Sequence, residues 1–119
     1  MSQKIDATDI TEEEALNAVF FERADEFINL ANEFCRPKKG EKPNPAEVRG
    51  QVSAAMLFGT ARFNTWVAAN NFKDGNEMRD AKQQVMSYVL QQFQMMLEDN
   101  YDEYCEQFDN YLRLSLIHI

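Results

Sequence analysis

The densest group of side chains that could do chemistry is a run of carboxylates near the end of the chain. No Lys or Arg separates its six members, which are Glu98, Asp99, Asp102, Glu103, Glu106 and Asp109. Asp99, Asp102, Glu103, Glu106 and Asp109 have helical spacing, so on one helix they would form a ridge. Such oxygen ligands, together with water, could bind Mg²⁺. The alternative, which we favour, is a solvent-facing surface, because charge runs usually face water.

A second candidate site lies at the predicted seam between the first two helices. Arg62 and Asn64 lie in an apolar stretch that also contains Trp66, and a partly buried guanidinium there would need a carboxylate. Asp25 and Glu26 on the first helix are the candidate partners. In the functional alternative these five residues line a ligand site, in which Arg62 would anchor the carboxylate or phosphate of a small ligand. We favour internal pairing, because polar groups near a core usually find partners within the protein.

Other chemistry lacks the residues that it requires. Zinc sites and Cys–His or Ser–His catalysis need histidine or clustered cysteine, and the chain has one histidine, His118, and two separate cysteines, Cys35 and Cys105. Its four glycines form no phosphate-binding loop. We therefore expect no cofactor and name no catalytic residue. Both cysteines should be reduced and buried as small apolar side chains.

Local signals predict the helices that would position these residues. Thr11 and Glu14 form a capping box at the start of helix 1. Residues 36–44, with two prolines, one glycine and three lysines, predict an exposed loop, and Asn44 followed by Pro45 starts helix 2. A turn at residues 74–76 precedes helix 3. Weak helix formers at Asp99-Asn100 leave it open whether helices 3 and 4 are one rod or two.

Apolar residues recur every three or four positions, which predicts one buried face on each helix. The predicted inward residues are Leu16, Phe20, Phe27, Ala31 and Phe34, then Val48, Val52, Ala55, Gly59, Phe63 and Trp66, then Met78, Ala81, Val85, Tyr88 or Val89, Gln92 and Met96, and finally Tyr101, Tyr104, Cys105, Phe108, Tyr111 and Leu112. We expect an all-α fold, a three- to four-helix up-and-down bundle with its aromatic rings in the core.

The same pattern predicts how the chain is organised. Residues 1–10 would be a flexible segment, residues 11–113 a single helical domain, and residues 114–119 a non-native tail. The tail interrupts the helical pattern and, reverse-translated, resembles an adapter of transposon-prepared sequencing libraries. The alternative is a native apolar tail docked on the bundle.

Charge and apolar run length limit the partners. The chain has 20 Asp and Glu against 12 Lys and Arg, a net charge of −8, which opposes binding to nucleic acid and to anionic membranes. No apolar run approaches the roughly 20 residues of a membrane-spanning helix. The N-terminal residues lack the pattern of a signal peptide. We expect a cytoplasmic protein.

Three segments, residues 21–32, 52–64 and 96–104, resemble a family of short proteobacterial proteins catalogued only as a domain of unknown function. The resemblance extends over about residues 20–112. It implies a compact helical cytoplasmic protein and no catalytic residue to transfer.

The sequence therefore favours a non-enzymatic interaction or structural module that binds a protein partner or self-associates. One alternative is a Mg²⁺-dependent all-α phosphohydrolase that uses the acidic face of helix 4. The other is a small-ligand binder at the seam between helices 1 and 2.

Overall fold

The computed structural model describes residues 11–113, and all regular structure in this range is helical. The helices are α1 (Glu12–Cys35), α2 (Pro45–Ala69), α3 (Gly75–Asp80), α4 (Lys82–Glu106) and a π-helical turn, α5 (Asp109–Arg113). The predicted all-α class is confirmed. Residues 1–10, the proposed non-native tail 114–119 and His118 lie outside the described residues.

The predicted start signals of the first two long helices are confirmed by their hydrogen bonds. Thr11 is the N-cap of α1, and its Oγ1 accepts a hydrogen bond from the backbone N–H of Glu14 at 3.1 Å. The Asn44 Oδ1 accepts from the N–H of Ala46 at 3.0 Å and from that of Glu47 at 3.4 Å. Each cap satisfies N–H groups that lack a partner within the helix, which fixes where the helix begins.

The loop between α1 and α2 is exposed, as predicted. The N–H of Glu41 donates to the carbonyl of Lys38 at 2.9 Å, which closes a four-residue turn. Gly40 occupies the third position with φ of 88°, a conformation that side chains other than glycine rarely adopt. The glycine therefore sets the direction in which the chain reverses.

The segment predicted as helices 3 and 4 has no break at Asp99-Asn100. α4 runs through both residues, and the Asn100 side-chain amide donates to the carbonyl of Met96 at 2.7 Å. The side chain thus bonds back to the preceding turn of the helix and does not cap a helix end at this position. The break lies instead at Ala81, where φ of −91° and ψ of 0° end α3 and begin α4.

The chain divides into two compact units, Met1–Phe63 and Asn64–Ile119, with the boundary inside α2. Among the described residues, the first unit contains α1 and most of α2. The second contains the end of α2 with α3, α4 and α5. A single domain over residues 11–113 stays a prediction.

The expected buried core is the main error of the sequence analysis. No residue between 11 and 113 is buried, and Phe20, Phe63 and Trp66 keep 56%, 62% and 62% of their surface exposed. Cys35 is half-buried and Cys105 exposed, so their predicted burial is also wrong. A unit with two long helical segments has too few elements to surround a side chain.

Candidate interaction surface

Seven large apolar side chains form one stripe along α4 and just beyond its end. We call this the α4 stripe, and its members are Met86, Leu90, Phe93, Leu97, Tyr101, Tyr104 and Phe108. Their spacing of four, three, four, four, three and four residues keeps them on one side of a helix. Each member keeps between 39% and 69% of its surface exposed. Within the second unit, the stripe is therefore an apolar face open to solvent.

Val89 is the last residue of α4 that is half-buried. Ala81, Val85 and Val89 are half-buried, at spacings of four residues, whereas every residue from 90 to 110 is exposed. Of the two alternatives Tyr88 and Val89, Val89 is the half-buried residue, and the predicted inward positions of Gln92 and Met96 are both wrong, since both residues are exposed. The remaining part of α4, residues 90–106, is about 25 Å long at 1.5 Å per residue, and all of its residues are exposed.

The acidic residues lie on the other side of the same helix. Because each residue turns the helix by about 100°, Asp99, Asp102 and Glu106 lie roughly 140–180° around the axis from Leu97. All three are exposed. Helix α4 is thus apolar on one side and anionic on the other, which is the pattern of a helix that packs one face against another polypeptide.

Glu103, one carboxylate of the ridge, contacts a side chain of α5, the last described turn. The Tyr111 hydroxyl donates to Glu103 Oε1 at 3.2 Å, and the Tyr104 and Tyr111 rings lie 4.7 Å apart. Reduced hydration raises the pKa of the Tyr111 phenol from its ordinary value of 10.0, and the hydrogen bond and negative charge of Glu103 raise it further. Arg113 Nε lies 3.2 Å from Asp109 Oδ1. The Tyr111 contacts link the last described turn to α4, whereas the ion pair lies within that turn.

The candidate Mg²⁺ ligands Asp99, Asp102, Glu103 and Glu106 project from a single helix. Within residues 11–113, no three His, Cys, Asp or Glu side chains lie close enough together to hold a metal ion. Carboxylates at successive turns of one helix point side by side and do not converge on a point. Metal binding by this ridge remains a hypothesis from the sequence.

Helix α1 carries a second exposed apolar face. Leu16, Phe20, Phe27 and Phe34 recur at four and seven residues, and all are at least 56% exposed. We call these four residues the α1 stripe. Asp25 lies on the opposite side of the helix and is also exposed. The same division into apolar and anionic sides therefore occurs in both units.

The five residues of the predicted seam are divided between the units. Asp25, Glu26 and Arg62 belong to the first unit, and each is exposed. Among the described residues, no ion pair joins Arg62 to either carboxylate. The half-buried residues of α1 are Ala24, Ala31 and Cys35, a face that neither Asp25 nor Glu26 shares. The structure therefore does not bring this expected pair together.

Asn64 and Trp66 belong to the second unit. Asn64 is half-buried and lines a shallow groove of about 360 Å³ with Val67, Phe72, Val85 and other residues. Neither Trp66 nor Arg62 lines this groove. The Trp66 carbonyl accepts a hydrogen bond from the Asn70 side chain at 2.6 Å, a contact that ends α2.

A family model described as "Protein of unknown function (DUF3144)" matches residues 20–105, which is more than half of the chain. The chain belongs to this family. The DUF3144 region contains the three segments on which the resemblance was based, and it contains the α4 stripe from Met86 to Tyr104. Neither a curated protein nor a solved structure matches the chain.

The α4 stripe was predicted only in part. Tyr101, Tyr104 and Phe108 belong to the stripe predicted for helix 4, whereas the stripe predicted for helix 3 ended at Met96 and not at Leu97. Because it stayed open whether helices 3 and 4 are one rod or two, the two halves were not joined. Because α4 is one helix, the two halves form a single stripe.

None of the helices in the described range is both long and apolar enough to span a membrane.

Proposed function

We propose that this DUF3144 protein is a non-enzymatic interaction module whose apolar helix faces are covered by another polypeptide. The observation that supports the proposal is the exposure of large apolar side chains along both α1 and α4. A monomer rarely leaves continuous apolar surface of this kind open to water, because covering it releases roughly 25 cal/mol per Å².

The division of charge supports the same proposal. On α4 the acidic residues lie away from the apolar stripe, and on α1 Asp25 does so, whereas Glu13, seven residues before Phe20, continues the line of the α1 stripe. A partner could therefore cover the α4 stripe without burying a carboxylate, and burying an unpaired carboxylate would cost several kcal/mol. The net charge of −8 would keep the uncovered surface hydrated and would oppose nucleic acids as partners.

The cellular setting is part of the proposal. Cys35 and Cys105 are both free thiols, which suits a reducing compartment, and we propose the cytoplasm of a bacterium as the location. The proteobacterial source suggested by the resemblance belongs to the same inference.

The test combines molar mass with exposure of apolar surface. Light scattering after gel filtration gives the mass at several concentrations, and the fluorescence of an apolar dye reports uncovered stripes. We expect either an assembly or a monomer that binds the dye strongly. A monomer that binds no dye and exchanges its amide hydrogens slowly throughout would contradict the proposal, because its apolar faces would then be covered within one chain.

A further inference from the structure

We propose that the α4 stripe pairs with the α4 stripe of a second copy of this chain, the two helices running antiparallel about a twofold axis at Leu97. This inference rests on the proposed function, since it names the polypeptide that covers one of the two faces. Four observations carry it: the symmetry of the stripe, its period, the distribution of charge along α4 and the exposed area.

The spacing of the stripe is the same read in either direction from Leu97. Phe93 and Tyr101 lie four residues from the centre, and Leu90 and Tyr104 lie seven residues from it. In an antiparallel pair centred on Leu97, Phe93 meets Tyr101 of the partner and Leu90 meets Tyr104. Every apolar side chain thus has an apolar counterpart, as an isologous interface requires.

The period of the stripe favours a long contact. The spacing repeats every eleven residues, from Met86 to Leu97 and from Leu97 to Phe108. Eleven residues in three turns give about 3.67 residues per turn, close to the 3.6 of a straight helix. Two nearly straight helices can therefore stay in contact along the whole stripe.

Charge selects the antiparallel direction. Residues 83–97 contain no charged side chain, whereas Glu98 to Asp109 contain six carboxylates. A parallel pair would set the two acidic halves side by side, and like charges at short distance repel. The antiparallel pair places each acidic half beside the uncharged, glutamine-rich half of the other copy. A partner chain with the same sequence thus fits this face in one direction only.

The exposed area matches what a dimer needs. The seven residues retain 39–69% of their surface, which amounts to roughly 750 Å² per copy if each exposes about 200 Å² when fully open. Standard specific interfaces bury about 800 Å² per partner. The stripe alone therefore supplies nearly the whole of a standard interface.

Disulfide trapping tests the geometry. The chain carries Cys35→Ser and Cys105→Ser, both at positions outside the stripe, and one new cysteine at a time is added by Leu97→Cys, Leu90→Cys or Met95→Cys. Met95 is the matched control, because it is 55% exposed against 51% for Leu97 and lies on the other side of the helix at nearly the same height. Circular dichroism checks that each variant remains helical.

Under oxidised glutathione, we expect the Leu97→Cys chain to form a covalent dimer in at least about tenfold greater yield than the other two, because a disulfide needs Cα atoms within about 7 Å. The two Leu90 positions would lie roughly 21 Å apart along the axis, seven residues on each side of the centre. Mixing Leu90→Cys with Tyr104→Cys chains should restore trapping.

Self-trapping of Leu90→Cys would show a parallel pair and overturn the inference. Assembly of the parent chain without trapping at Leu97 would also overturn it but would leave the proposed function standing. A parent chain that is a monomer and binds the apolar dye would likewise overturn the antiparallel pairing and leave the proposed function standing. A monomer that binds no dye would overturn both.

Discussion

Replacing Leu97 by glutamine tests the α4 stripe at the position where two copies would meet. Leu97 keeps 51% of its surface exposed, roughly 90 Å², and covering it contributes about 2 kcal/mol per copy. Both copies lose this contribution, so the dimer loses about 4 kcal/mol and its Kd rises about 1000-fold. Leucine and glutamine have similar helix propensity, so α4 itself should persist.

Sedimentation equilibrium measures Kd for the parent and the variant. Leu57→Gln is the matched control, because Leu57 lies within α2, outside the stripe, and is 55% exposed. We expect this control to change Kd by less than about tenfold, or 1.4 kcal/mol. An unchanged Kd in Leu97→Gln, or an equal loss in Leu57→Gln, would refute the assignment of the interface to the α4 stripe.

Three further predictions follow from local contacts. Asn44→Ala removes the cap of α2 and should lower the free energy of unfolding by about 1 kcal/mol in urea titration; no loss would show that the cap does not stabilise the helix. Reduced hydration, followed by the hydrogen bond and charge of Glu103, raises the pKa of Tyr111 in the folded chain, so the stability that this group contributes is present below pH 10.0 and is lost as pH rises through the folded-state pKa. Nuclear magnetic resonance should therefore show tyrosinate forming at higher pH for Tyr111 than in the urea-unfolded chain, and the reverse order would contradict this. Adding Mg²⁺ should change neither Tm nor nucleotide turnover, in the parent or in Asp102→Asn. Mg²⁺-dependent turnover that is present in the parent and lost in Asp102→Asn would favour the phosphohydrolase alternative.

Helix boundaries could be predicted from the sequence because they depend on residues near each other in the chain. Thr11 and Asn44 satisfy N–H groups two or three positions away, so the short segment around each residue contains the whole interaction. The turn at Gly40 is local in the same sense. Ala81 shows the limit, since nothing in its side chain indicates a break between α3 and α4.

Burial could not be predicted in the same way. The periodic placement of Phe20 and Phe27 correctly identified an apolar side of α1, but the pattern does not say which polypeptide covers it. Burial was expected within the same chain, and the exposure of both rings contradicts that expectation. The ion pair expected between Arg62 and Asp25 or Glu26 also depended on which face of α1 is covered, and a ligand site around these residues stays a prediction.

The most direct test of the central claim is amide hydrogen exchange of residues 90–106 at two protein concentrations well apart. If another copy covers the α4 stripe, these amides should exchange more slowly at the higher concentration, while the exposed loop at residues 36–44 should exchange at the same rate in both samples. Exchange of residues 90–106 that is slow and independent of concentration would contradict the claim.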